Sequence, residues 1–487
     1  MDEKQETKEL AFLYLARAVE ESLPVGKSFD VIRRMVSVGG RNVSLYFIDG
    51  FIKDELMQRI LTDFFKITEK EMKDLPFAAD FSRERIPYVE VTLGNDGKKA
   101  AEAVLSGQTA MLVEGYTEFI LMDLRTYPVR GVEEPEKEKT LRGARDGLVE
   151  TIVFNTALIR RRIRDSRLVF EMHSVGSVSK TDVCIGYMEG KADEKLVKRL
   201  RDQIENLDVK SLTMGDQSLV EALGYLREGR RRNRSAGSFW NPFPKVRYTE
   251  RPDVVAAHLS EGKFVILVDN SPSAIILPTG LFDFLQDVDD YYFPVITGNY
   301  FRFIRNLTML VTTFITPVYL LLAANHLHLP REFLFMLPQE PYNIPLFWQF
   351  LLLELAVDGL KLASLNTPSS LGMSLSVIGA LILGEFSVTA GWFIPQSILL
   401  MAAVALAGFS QPSIELSYAI KFMRMGMLLG AAVGGTAGFF LVLAGELALV
   451  CATKTITGTS YLYPLIPFNR KKLAELLFRV KADQAAD

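Results

Sequence analysis

The chain has 487 residues, with 55 Lys and Arg against 58 Asp and Glu, a net charge of -3 and 49% hydrophobic residues. That length leaves room for two or three units of about 100–200 residues each. The slight acidity argues against a nucleic-acid binder, which is usually clearly basic. The two cysteines, Cys184 and Cys451, are placed too differently to expect a disulfide.

The start, Met1-Asp2-Glu3-Lys4-Gln5-Glu6, is charged and has no apolar run behind a basic cluster. No signal peptide is expected, and the soluble part is expected to remain in the cytoplasm. Up to Arg305 the sequence is densely charged and weakly repeated. Residues 107–114 with 119–121 match 262–269 with 274–276. Each set reads as helix, glycine stop, strand, polar turn, strand, with the helices over 101–106 and 254–260. A second pair has the same order: strand 45–50 with helix 55–65, and strand 185–190 with helix 194–204. These matches predict two similar α/β subdomains, over 1–145 (an N-terminal segment, then the subdomain from about residue 30) and 146–302. The acidic, Pro-containing stretch 133–138 between them reads as an exposed linker.

This half carries no P-loop, no G-x-G-x-x-G after a strand, no nucleophile elbow and no H-E-x-x-H. No enzyme activity, cofactor or metal is therefore expected. Its lobes either clamp a small molecule in their cleft or form a collar that oligomerises. Two basic runs stand out. Arg160 and Arg164 share a helix face, which suits acidic patches on a neighbouring subunit. Residues 230–234 follow a helix over 217–228 and either touch anionic lipid headgroups or form a solvated loop.

After Arg305 the composition changes. Residues 306–330, 362–384, 386–414 and 425–445 contain no Asp, Glu, Lys or Arg. Each gap is long enough for a hydrocarbon core, which takes about 20 apolar residues. An α-helical polytopic membrane domain is predicted over 303–453, followed by a Pro-containing basic tail over 454–487. Five apolar helices can be counted: 306–325, 346–365, 371–391, 396–412 and 425–451. Arg302 and Arg305 before the first, and Arg470, Lys471, Lys472, Arg479 and Lys481 in the tail, place both ends in the cytoplasm. That requires an even number of crossings, so one helix is expected not to cross. The candidate is 346–365, with Glu354, Asp358 and Lys361 on one face, since a charge in the membrane costs about 2.5–3.5 kcal/mol per residue on insertion scales. Lys421 and Arg424, ahead of the last helix, leave the count open by one.

The helix-breaking run Asn366, Thr367, Pro368, Ser369 and Ser370 follows, and at membrane depth it would need protein or water around it. Glu354, Asp358, Lys361, Asn366, Thr367, Ser369, Ser370 and Glu385 are therefore the candidate pore or polar pathway. An alternative is that Lys361 neutralises Asp358 or Glu354 within its own helix. Glu385 and Glu446 are each either an ion ligand or a headgroup-level residue. His326 and His328 have no Cys or carboxylate near enough to complete a metal site. Gly426, Gly430, Gly434 and Gly438 recur every four residues, the geometry of close helix–helix packing.

Several of these segments share one pattern: Arg142 to Gly147, Asn155 to Ile163, Ser179 to Asp182, Thr249 to Asp253, Ile266 to Asp269, Asp290 to Tyr292, Val377 to Gly384, Ala390-Gly391, and Tyr461 with Pro464 and Pro467. In this order they resemble the A subunits of bacterial spore germination receptors, the GerA family, from Pro128 to Asn469. One departure is the stretch 347–361, where nutrient-receptor subunits usually carry a different acidic and basic pattern. This version resembles a paralogous branch associated with dipicolinic-acid export.

The resemblance implies a multi-pass protein of the spore inner membrane, in contact with membrane lipid. It implies a homo-oligomer, a pentamer, that conducts ions and amplifies the release triggered by nutrient receptors. Other germination membrane proteins are implied as further partners. The alternative is a non-conducting scaffold or signalling subunit that couples those receptors to dipicolinic-acid release. A secondary transporter is disfavoured, because the membrane half shows no internal inverted repeat.

Overall fold

The computed structural model describes residues 3–88, 90–125, 134–135, 138–207, 209–212, 215–223, 241–325, 335–338, 342–366, 384 and 386–479. The chain divides into two compact units. One comprises Met1–Glu228, Val246–Thr279 and Ile456–Gly458; the other comprises Gly229–Lys245, Gly280–Thr455 and Thr459–Asp487.

The first unit is built twice over one plan. Its first lobe runs α1 (Glu3–Ser22), β1 (Val31–Val38), β2 (Arg41–Ile48), α2 (Asp54–Phe64), α3 (Glu69–Lys73), α4 (Ala78–Arg85), β3 (Val91–Gly94), α5 (Gly97–Leu105), β4 (Thr109–Val113) and β5 (Phe119–Met122). Its second runs α6 (Ile152–Arg162), β6 (Leu168–Val175), β7 (Thr181–Met188), α7 (Glu194–Glu205), α8 (Gly215–Leu223), β8 (Arg247–Thr249), α9 (Pro252–Ser260), β9 (Phe264–Val268) and β10 (Ala274–Leu277). The sheets are ordered β1-β2-β4-β5-β3 and β6-β7-β9-β10-β8, the same permutation, with every neighbour antiparallel.

Alternation along the strands explains why helices cover both faces. On β4, Met111 and Val113 join the core with α2 to α4, while Ala110 and Leu112 join the core with α1 and α5. Successive side chains leave a strand on opposite faces, so an all-apolar strand needs cover on both. The glycine stops read from sequence end α5 and α9 alike. Gly107 (φ 95) donates to the Val104 carbonyl, and Gly262 (φ 89) to that of Leu259. At such φ only glycine is unstrained.

The lobes are locked together by a buried cluster. Arg160 of α6 is fully buried and donates from Nε to Asp30 (2.9 Å), from Nη2 to Asp30 (3.0 Å) and from Nη1 to the Leu168 carbonyl (2.9 Å). The Ser28 hydroxyl donates to Asp30 and accepts from the Phe170 amide (2.8 Å). This overturns the expectation that Arg160 faces another subunit: its partner is an aspartate far back in its own chain, a pairing that local spacing does not reveal. Arg162 is likewise taken by Asp146, at 2.5–2.6 Å.

The described end of the junction is also docked rather than free. Glu138 accepts from the Thr249 hydroxyl and the Glu250 amide, both at 2.8 Å. Burial raises its carboxyl above the ordinary value. The second basic run, 230–234, and the histidines 326 and 328 lie outside the described residues.

The second unit is a helical bundle: α10 (Asp289–Tyr292), α11 (Val295–Asn325), α12 (Leu346–Asn366), α13 (Pro395–Phe409), α14 (Ile414–Ala452) and α15 (Arg470–Leu477). Among the described residues, Val295–Ala324 and Ile414–Ala452 are helices long and apolar enough to cross a membrane. At the foot of α11, the buried Asp290 accepts from Arg302 (3.2 Å) and from Arg305 (2.9 and 3.1 Å). The C-terminal segment is fastened to the same place. Arg479 donates to the carbonyls of Asp290 (2.9 Å) and Phe293, its amide to Asn299 (2.6 Å), and Arg302 donates to the Leu476 carbonyl (3.1 Å).

The 39-residue α14 is not straight. Gly435 has φ 58 and ψ -141, a backbone that reverses the helix into two arms, 414–434 and 436–452. A Cβ on Gly438 would clash with the Gly430 carbonyl oxygen, and one on Gly426 would stand 2.7 Å from Oε1 of Glu446. Such contacts join residues that a straight helix would hold far apart, since it rises about 1.5 Å per residue. The single apolar helix expected over 425–451 is thus a hairpin that begins at Ile414. The glycine ridge packs its own two arms: Gly426, Gly430 and Gly438 lie in the contact, while Gly434 has open space where its Cβ would be.

Candidate functional site

One charged cluster sits inside this bundle, and its position follows from how α12 is held. Gln349, fully buried near the start of α12, accepts from the Ile394 amide (3.0 Å) and the Ser397 hydroxyl (2.8 Å). This fixes the first turn of α12 against the first turn of α13. Phe350 and Leu353 pack into the core shared with Tyr319, Met401 and Met427. The next turns of α12 then carry Glu354, Asp358 and Lys361 toward the first arm of α14.

There the acids meet two cations. Arg424 donates to Glu354 from Nε (2.7 Å) and from Nη2, and to the Thr312 carbonyl of α11 (3.1 Å). Lys421 lies 3.2 Å from Glu354 Oε2 and makes a direct ion pair with Asp358. Glu354 and Arg424 are both buried, whereas the Asp358 side chain is 27% exposed. Three helices are therefore tied by a four-charge group whose formal charges cancel. A cavity of about 40 Å³ adjoins it, lined by Thr312, Gln411 and Ser417 among others. A water needs about 10–15 Å³ of such space, so the cavity has room for a small number of waters.

Lys361 does not neutralise the acids of its own helix. Its Nζ lies over the rings of Phe409 (5.2 Å) and Tyr418 (5.9 Å). The intrahelical pairing offered as an alternative is thus replaced by pairing between helices. Lys421 and Arg424 are the residues that sequence reasoning passed over as functional. The signal was their charge inside an otherwise apolar stretch, read only for its effect on the crossing count. Asn366 closes α12. Thr367, Ser369, Ser370 and Glu385 lie outside the described residues.

Residues 19–486 match the profile of the Bacillus/Clostridium GerA spore germination protein family. This chain belongs to the GerA family. It is 36% identical to Stage V sporulation protein AF of Bacillus subtilis (strain 168), over 93% of this chain and 90% of that protein. It is 27% identical to Spore germination protein KA of the same organism, over 96% of this chain and 84% of that one. Among solved structures it resembles the N-terminal domain of the A subunit of the Bacillus megaterium spore germinant receptor GerK3. That match has TM-score 0.40 and 24% identity, covering 54% of this chain and 92% of that one.

In this GerA-family chain, three of the segments that carried the resemblance supply structural anchors. Arg251, buried, donates to the carbonyls of Glu138 (3.2 Å) and Ala144 (2.8 Å) and to Asp253 (2.7 Å), pinning the junction onto the second lobe. Asp290 gathers the arginines at the foot of α11. Tyr461, fully buried, packs beside Phe243 and Phe284, and its carbonyl accepts from the Leu281 amide (2.9 Å).

Proposed function

We propose that this GerA-family chain is a multi-pass subunit of the spore inner membrane that assembles with copies of itself into an ion-conducting pathway used in germination. The observation that carries this reading is the cluster of Glu354, Asp358, Lys421 and Arg424 within an apolar bundle. Charges at membrane depth cost about 2.5–3.5 kcal/mol each on insertion scales, and a bundle that only spans has no use for four of them. In the arrangement described here every charge of the cluster is matched, so it acts as a latch holding α12 against the first arm of α14. Asp358 is its most exposed member. Parting of the two helices would free that carboxylate to face water, and a carboxylate repeated once per subunit attracts cations. The soluble lobes and the foot of α11 lie on the cytoplasmic side in this reading, consistent with Arg302 and Arg305 before the apolar run.

Flux of monovalent cations through the purified protein in liposomes tests this. Wild-type protein is expected to conduct. Asp358→Asn is expected to lower cation conductance or shift the reversal potential in an intact oligomer, and Lys421→Gln, which leaves Asp358 unmatched, to raise cation passage. The net neutrality of the cluster favours a second reading, a non-conducting scaffold that couples germination receptors to dipicolinic-acid release. Sealed liposomes holding assembled protein and showing no flux would decide for the scaffold.

A further inference from the structure

Glu446 is a carboxylate of the bundle that the latch leaves aside. It lies on the second arm of α14, about three turns beyond the reversal at Gly435. Its side chain turns into the hairpin rather than outward to headgroup level. Oε1 is 2.7 Å from the point where a Cβ on Gly426 would stand, so the glycine opposite leaves room for the carboxyl group. Oε2 is buried and has no hydrogen-bond partner among the described residues.

The charged groups on the elements around it are engaged elsewhere. On the first arm, Lys421 and Arg424 hold Asp358 and Glu354 of α12, and Glu415 accepts from the Ser413 hydroxyl. On α11, Arg302 and Arg305 hold Asp290, and Arg305 also Asp287. Lys361 of α12 lies over its two aromatic rings.

A half-buried ionised carboxylate between apolar helices, with no cation beside it among the described residues, is disfavoured, and the group then takes up a proton or a bound cation. Beside the carboxyl group, Gly426 and Val442 bring no side-chain oxygen that would help ligate a metal ion. We infer that Glu446 is a proton-binding site of the α14 hairpin, holding its proton while the arms are closed, and that release of this proton to water loosens the contact at Gly426. The site does not depend on conduction, and its test does not use conduction as a readout.

The experiment uses the full chain in lipid nanodiscs, with Cys451 replaced by Ser and spin labels on cysteines introduced at the exposed positions Phe422 and Leu447, one per arm. The label distance is expected to be short at acidic pH and to lengthen or broaden as pH rises. Glu446→Gln, which cannot ionise, is expected to hold the short distance throughout. A distance independent of pH in the parent protein, or the same change in the glutamine variant, overturns the proposal. Infrared spectroscopy gives an independent readout, a carboxylic-acid band that is lost in Glu446→Gln. A band unchanged in that variant overturns the assignment. Should the glutamine variant fail to fold, Gly426→Ala, whose methyl crowds the carboxyl group, is expected to shift the band, and an unshifted band overturns it equally.

Discussion

Asp30 and Arg160 show what a single residue contributes to joining the two lobes. Each is buried in the pair, and removing one partner leaves the other charge without compensation, at about 3–5 kcal/mol. Asp30→Ala is therefore expected to destabilise the two lobes by that amount in chemical unfolding, and a loss below about 1 kcal/mol would show the pair to be dispensable. Glu71 acts at the surface instead. It closes a capping box with Thr68 and pairs with Arg85 (3.0 Å). The Thr68 amide, then its hydroxyl and Arg85, hold the carboxyl at about 2 against an ordinary 4.5. A folded-state pKa below the unfolded one means that its stabilisation is present above pH 4.5 and lost as pH falls toward 2. Glu71→Gln should flatten this part of the acid limb of a stability–pH curve; an identical limb in the variant would remove Glu71 from the account. Glu71 could be paired with Thr68 from sequence, three residues away. The partners of Glu354 and Asp358 could not, because Lys421 and Arg424 lie on another helix and only the fold brings them together.

Among the elements, the α14 hairpin makes the sharpest distinction between positions that look equivalent in sequence. Gly430 and Gly438 face each other with no space for a methyl, whereas a Cβ on Gly434 meets nothing within 4 Å. Gly438→Ala is expected to lower thermal stability in detergent by several degrees and Gly434→Ala to leave it nearly unchanged. Equal effects at the two positions would mean that the arms do not close as described. The four-residue glycine register was legible because close packing leaves a periodic trace. The reversal was not, because the Gly434-Gly435-Thr436 turn signal is submerged in the four-residue glycine register of a long apolar run with no proline or charge to mark a stop. The elements of the two lobes were easier to read. Each β4-like and β9-like strand is flanked by a positive-φ glycine and a polar turn, both local signals, and the helix expected over 217–228 is described over Gly215–Leu223.

At the scale of the whole chain, the pair of similar α/β subdomains was legible from weak matches that recur in the same order in both halves, whereas the strand order of the sheets was not. Contacts between distant segments left no such trace. The fastening of the C-terminal segment at the foot of α11 joins residues far apart in sequence, so the basic tail read only as a topology signal. Arg479→Ala removes hydrogen bonds to the carbonyls of Asp290 and Phe293, each worth about 0.5–1.5 kcal/mol, or more when the donor is charged. The variant is expected to melt a few degrees below the parent protein in detergent. An unchanged melting temperature would show that the segment merely rests there.

The reversal at Gly435 also bears on parity. Drawn out straight, 39 residues of helix reach about 58 Å, nearly twice a hydrocarbon core of about 30 Å. Folded, the same residues would enter a membrane and return on one side. A count that scores them as a single passage exchanges the side assigned to everything after Ala452, including the segment that meets the foot of α11. The sidedness of the C-terminus thus hangs on one glycine backbone, and an even number of passages no longer requires the helix bearing Glu354 to stop short of crossing.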